Sequence, residues 1–237
     1  MRNDYSRKRQ KQLAQYFRCL SSVCTDSLLG YYYIPYEFHF TERWFRNHMM
    51  KQVLGLWNIT DAASLKRKIR WLLDDGYRAE YREVHAKLAA LTEASRRNYI
   101  DASREESDFA SLVVVHQHLP QLPSGEIAAF GCGWAIFLSR IGLVYRYLTE
   151  DEAWELKLEA ARLVQRHYRS WAEFFIAYST GSQYFKLFMD MKRYPDAINR
   201  SNSLLGGSTL IWKKALWDQD LRPDKGQANQ RQQEASV

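Results

Sequence analysis

Apolar residues recur along this chain mostly at the three- and four-residue spacings of an α-helix. Leu13, Phe17, Leu20 and Cys24 make one stripe with cations opposite, and Thr41 to Leu56 predicts a second helix. The stretch "SLKRKIRWLLDDGYRAEY", Ser64 to Tyr81, predicts a third. Thr60 or Asp61 can cap its first turn, and Leu65, Ile69, Leu72 and Leu73 share one face. Lys66, Arg67, Lys68 and Arg70 fan over roughly 200° of the remaining circumference, a solvated face rather than a phosphate-tracking stripe. Gly76 suits a left-handed helix terminus. Tyr77, Tyr81, Val84, Leu88 and Leu91 carry the next seam, so the pair predicts an αα-hairpin turning at Gly76.

Residues 100–118 read as helical up to "HLPQLPSG", after which Ser124 can cap the next element. That element, "IAAFGCGWAIFLSRIGLVYRYL", has no polar face until Arg140 and predicts a buried central helix. Its small residues, Gly131 and Cys132 among them, would let neighbours approach closely. "TEDE" at Thr149–Glu152 and "SWAE" at Ser170–Glu173 both fit the capping box. Ala153, Leu156, Ala160, Leu163 and His167 form the seam after the first, with Trp154, Leu158 and Ala161 beside it. Phe174, Tyr178, Gly181, Phe185 and Phe188 follow the second, ahead of Pro195. "SLLGYYYIPYEFHF" is broken by Gly30 and Pro35 and reads as an aromatic connector. "LIWKKALW" reads as a short terminal helix.

The expected fold is all-α: a multi-helix orthogonal bundle around a buried central apolar helix, with at most a short strand or hairpin near the N-terminal third. A basic N-terminal arm and aromatic connector, 1–54, would pack on a helical domain, 55–193. A loop and short terminal helix, 194–222, and a disordered tail, 223–237, complete the expected organisation.

Composition sharpens this picture only in places. Hydrophobic residues make up 46% of the 237, enough for a sizeable core. The net charge of +7 sits mostly in residues 1–18, which hold Arg2, Arg7, Lys8, Arg9, Lys11 and Arg18 against Asp4. Nucleic acid is therefore expected only through residues 1–18. No secretory signal is visible, and the longest uncharged apolar run, Ile127 to Ser139, is too short for a membrane span. Cys19, Cys24 and Cys132 form no paired framework, so a cytoplasmic setting is expected.

Catalytic motifs are missing. "GCGWAI" has Ile136 where a dinucleotide fingerprint needs glycine, and no strand–helix–strand pattern surrounds it. His116 and His118 point apart on a helix and have no Cys or acidic residue nearby to complete a metal set. Neither a metal, nor a cofactor, nor catalytic residues are expected. What remains is a candidate polar cluster: Asp74, Asp75, Arg78, Arg140 and His167, edged by Trp71, Trp154 and Trp171. Arg78 is close enough in sequence to offset the aspartates at their helix end. A guanidinium at Arg140 needs a buried partner, so an Arg140–Asp pair holding helices together is expected, with a ligand site as the alternative.

The blocks "ITDAASLKRKIRWLLDDGYRAEY" and "LSRIGLVYRYLTEDEAWELKLEAARLVQRHYRSWAEFFIAYSTG" resemble the bacterial domain of unknown function 1266 family over about residues 55–190. Trp71, Gly76, Arg78, Arg140, Glu152, Trp154, Ser170, Trp171 and Gly181 match its motif. The resemblance implies a helical bacterial domain and brings no activity to transfer. Many members place an Asp and an Arg shortly before the residue matching Arg140, where this chain has Gly131 and Trp134; a family site there would be altered. These readings together favour a non-enzymatic module contacting another protein through exposed aromatics or the arm. The alternatives are an enzyme or small-ligand binder using an Arg/Asp/Trp-lined cleft between helices, and nucleic-acid binding through the arm.

Overall fold

The computed structural model describes residues 2–24, 37–38, 43–187 and 215–224, with residues 43–46 described by their main chain. Among these residues the chain is all-α, with no strand. In chain order the helices are α1 (Arg7–Ser21), α2 (Arg43–Leu56), α3 (Ala62–Asp74), α4 (Arg78–Ala89), α5 (Glu93–Ala102), α6 (Phe109–His118), α7 (Ala128–Val144), α8 (Glu150–His167) and α9 (Trp171–Lys186). Most of the aromatic connector, with its expected strand, lies outside the described residues, as do Phe188, Pro195, Leu210–Lys214 and 225–237. Ala215 to Trp217, the end of the expected terminal helix, are not helical.

The apolar run without a polar face is the centre of the molecule. Every residue of α7 from Ala128 to Gly142 is buried, and α1, α3, α8 and α9 all pack on it. Its glycines explain how they come so near. A Cβ added at Gly131 would lie 2.2 Å from the Leu72 carbonyl oxygen, so the α3 and α7 backbones meet there and only hydrogen fits. Aromatic rings fill the rest: Trp57 stands edge-on to Trp134 at 5.2 Å, and Phe130 meets Phe185 at 4.9 Å. Such edge and tilted contacts place the positive ring rim on the negative face.

The amino-terminal arm belongs to this body. Leu13, Tyr16, Phe17 and Leu20 are at most 1% exposed, so each contributes about 1.5–3 kcal/mol of apolar burial. Residues 215–224 tie the arm down further. Tyr5 Oη donates to the Leu221 carbonyl at 3.0 Å, and the Ser6 N–H donates to Asp224 Oδ2 at 2.6 Å. Gln165 Nε2 donates to the Trp217 and Gln219 carbonyls, and Trp171 Nε1 to that of Ala215.

Several local expectations change. Gly76 does take a left-handed φ of +56°, and Tyr77 follows at +65°, but α3 then packs on α7 while α4 packs on α6. Two successive left-handed residues send the chain away, so the turn is not followed by a side-by-side hairpin. Ser124 does not cap α7; the Glu126 carboxylate accepts the Ala128 N–H at 2.8 Å instead. Asp61 caps α3 through a reciprocal box with Ser64, and Thr149 and Glu152 form the expected box on α8. Ser170 caps α9, but Glu173 reaches past it to the Arg169 N–H. The basic face of α3 is exposed, as expected, and two of its cations reach across to α8 in solvent-exposed ion pairs: Lys66 with Glu152 and Arg70 with Glu159, both at 2.6 Å.

Candidate functional site

The predicted polar cluster separates into two places and a remainder. Asp74 and Asp75 are exposed; Asp74 lies 3.8 Å from Arg70, and Asp75 accepts the Ala79 N–H. Neither is offset by Arg78, which points elsewhere. Trp71 packs edge-on against Tyr77 at 5.2 Å with Lys68 over its ring, and Trp171 is walled in by Tyr16 and Trp217. These two indoles are packing groups.

Arg78 and His167 do meet, around a carboxylate the sequence reading passed over. Glu126 is buried just before α7, and Arg78 grips it with two bonds, Nε at 2.8 Å and Nη2 at 3.1 Å. Arg78 Nη1 donates to the Leu73 carbonyl, and Nη2 lies 3.4 Å from His167 Nε2. An imidazole that accepts there is neutral with its proton on Nδ1. Burial lowers the His167 pKa in the same sense, and the Arg78 charge adds to it against the pull of Glu126. Tyr168 Oη donates to the Glu126 carbonyl and accepts the Ala129 N–H. Every nitrogen of Arg78 has a partner, and the network locks α4 to the start of α7.

Arg140 and Trp154 stand elsewhere, in a cleft of about 950 Å³ between α1, α7 and α8. Arg140 is buried, and among the described residues it pairs with Glu37, whose Oε2 accepts from Nε at 3.2 Å. It also donates to Ser21 Oγ at 2.9 Å and lies over the Phe38 ring. Glu37 is shared with Arg18 at 2.9 Å. Burial would raise the Glu37 pKa, but Arg140 and Arg18 hold it down at about 2.

Beside this pair lies Lys157, only 9% exposed. Among the described residues its ammonium has no hydrogen-bond or salt-bridge acceptor; it has the rings of Phe17 and Trp154, with centroids 5.7 and 5.8 Å away. Burial lowers its pKa to about 8; the pull of Glu37 is countered by Arg140, Arg2 and Arg18. Among the described residues the cleft wall holds six cations, Arg2, Arg7, Lys11, Arg18, Arg140 and Lys157, against Glu37 and Glu150. Arg2 pairs with Glu150. A second groove of about 540 Å³ between α3 and α8 has three cations facing three glutamates and no surplus.

Sequence reasoning placed the α8 seam through Leu156 and Leu163, which are half-buried; the buried face runs Ala153, Trp154, Lys157, Leu158, Ala160, Ala161, Val164. A lysine inside that spacing was the available signal for the cleft. No group of three His, Cys, Asp or Glu that could hold a metal ion occurs among the described residues, and His118 Nε2 meets Gln183 Oε1 at 2.8 Å. None of the described helices is long and apolar enough to cross a membrane.

A family model described as "Protein of unknown function (DUF1266)" matches residues 53–217. "Uncharacterized protein YbeR" of Escherichia coli (strain K12) is 26% identical over 130 residues, covering 55% of this chain and 55% of that protein. The match thus spans about half the length of that relative. No solved structure matches the chain. The deep cleft residues Arg140, Trp154 and Lys157 fall within the family match, while Arg2, Arg7, Lys11, Arg18 and Glu37 precede it.

Proposed function

The chain belongs to the DUF1266 family, and from the chemistry of its basic cleft we propose that it binds a small polyanion, phosphorylated or carrying several carboxylates. One observation carries this reading: a lysine nine-tenths buried whose ammonium has no acceptor among the described residues, set in a cleft where the described cations outnumber the described acids six to two. Buried charge without a partner is costly, and an anionic ligand supplies the partner. Arg140 and Arg18 are forked donors suited to carboxylate or phosphate oxygens, while Lys157 acts as a point charge.

The protein-interaction reading depended on exposed aromatics, but Trp154 and Trp171 are 2–3% exposed, and the exposed large hydrophobics among the described residues are Leu187 and Leu216. Nucleic-acid binding through the arm is weakened as well, since Arg2, Arg9 and Arg18 are engaged with Glu150, Asp220 and Glu37. The three free, buried thiols support a reducing, cytoplasmic setting.

Calorimetric titration of the full chain with inorganic phosphate, pyrophosphate and citrate tests the reading. Binding should weaken as salt rises, and as pH rises through about 8, where the Lys157 charge is lost. Lys157→Met should lower affinity about tenfold or more, the worth of one charge-assisted hydrogen bond. Absence of heat and of any melting shift with all three anions would sink the proposal.

A further inference from the structure

We infer that Lys157 forms an imine with the carbonyl carbon of an anionic aldehyde or ketone held in this cleft. The inference rests on the anion-binding reading of the same cleft and goes beyond it, from holding a ligand to reacting with one.

The placement of the amine is the argument. A lysine that serves structure pairs its ammonium with a carboxylate or stands free on the surface. Lys157 lines the cleft with nine-tenths of its surface buried and no carboxylate acceptor among the described residues, Glu37 being already divided between Arg140 and Arg18. The two rings beside it, with centroids more than 5.5 Å away, compensate a charge only weakly. An ammonium here gives up its proton more readily than one on the surface, and desolvation beside other cations is the means by which lysines become nucleophiles at ordinary pH. Its lowered pKa, about 8, agrees with the geometry. The same cations that disfavour a proton on Lys157 favour a carboxylate or phosphate on its reaction partner. A cavity of about 950 Å³ admits such a compound whole.

The chemistry closes without a further reagent. The neutral Nζ lone pair adds to the carbonyl carbon; the nitrogen gives up its two protons, and the carbonyl oxygen takes up two and leaves as water. A carbon–nitrogen double bond remains, its nitrogen protonated near neutral pH. Hydrolysis reverses the sequence, so one water is released per adduct formed and nothing is oxidised or reduced. The cations lining the cleft hold the anionic group, and Glu37 fixes Arg140 and Arg18 among them.

The test uses the full chain with pyridoxal 5′-phosphate and glyoxylate as anionic carbonyl probes, at one equivalent, trapped with cyanoborohydride and mapped by peptide mass spectrometry. One adduct per chain at Lys157 is expected, with trapping that rises from pH 7 to pH 8. Pyrophosphate in excess should suppress it, and uncharged pyridoxal should label Lys157 at least about tenfold less. Lys157→Arg, which keeps the charge but has no nucleophilic amine, should give no adduct. Labels scattered over exposed lysines without preference for Lys157 would overturn the inference. If phosphate binds in that case, only the imine fails; if phosphate does not bind, the anion reading fails with it. Equal labelling of Lys157 by uncharged pyridoxal would overturn the anionic class of the partner.

Discussion

Glu126 and Glu37 are each gripped by an arginine from a helix, yet their surroundings differ in one respect. Around Glu126 all three Arg78 nitrogens, the Ala128 N–H and the Tyr168 hydroxyl find partners, with His167 and the exposed Arg82 at the edge of the cluster. Around Glu37 the pair with Arg18 and Arg140 is made as well, but a third cation, Lys157, is left over inside a cleft. A satisfied buried network fixes one arrangement of helices. A surplus buried charge fixes nothing and asks for something from outside. On the proposed anion-binding reading the molecule separates an ionic clamp from an ionic site, and the two should respond differently to the same kind of substitution.

The clamp should give the largest effect. Arg78→Met strands the Glu126 carboxylate in a buried position and frees the Leu73 carbonyl, which should cost about 3–5 kcal/mol of stability. Urea unfolding checks this, and the folded fraction should bind phosphate as the parent does. A loss under about 1 kcal/mol would show the clamp to be incidental.

Arg140→Met should lie between. Glu37 keeps Arg18 and is about one-third exposed, so the stability loss should be nearer 2 kcal/mol. Unlike the clamp variant, it should also weaken phosphate binding by about tenfold or more, because Arg140 lines the cleft. A variant that loses stability and binds phosphate unchanged would move Arg140 from site to clamp and erase the contrast between them.

How much of this the sequence displayed follows from what periodicity measures. The buried α7 was legible because its run of apolar residues has no polar face to misplace. The caps at Thr149 and Ser170 were legible because they depend on residues three apart, whereas the start of α3 stayed open between Thr60 and Asp61. Lys157 was not, because the α8 seam was drawn through Leu156, one residue away, and each residue turns a helix by about 100°. Glu37 sits in a stretch with no helical period, and so has no register from which a neighbour can be inferred. Glu126 looked like a loop residue beside the better N-cap candidate Ser124. Which carboxylate meets which arginine depends on the helix packing, and the α3–α4 turn shows how far two left-handed residues can redirect it.

The smallest change should be the most telling. Lys157→Met replaces a buried ammonium with an apolar chain of similar length, so it should stabilise the protein by about 1–2 kcal/mol near pH 7 while removing affinity for phosphate. The gain has a pH signature. The folded-state pKa of about 8 lies below the ordinary 10.5, so between those values the unfolded parent chain binds more protons than the folded one. Parent stability should therefore rise from pH 8 to 10.5, and its deficit against Lys157→Met, full below pH 8, should close over that window. Matched denaturation curves at pH 7 and pH 10 read the difference directly. A gap that stays constant with pH would mean that the ammonium is well solvated or paired in the folded chain, and the cleft would then hold no surplus charge to set it apart from the clamp.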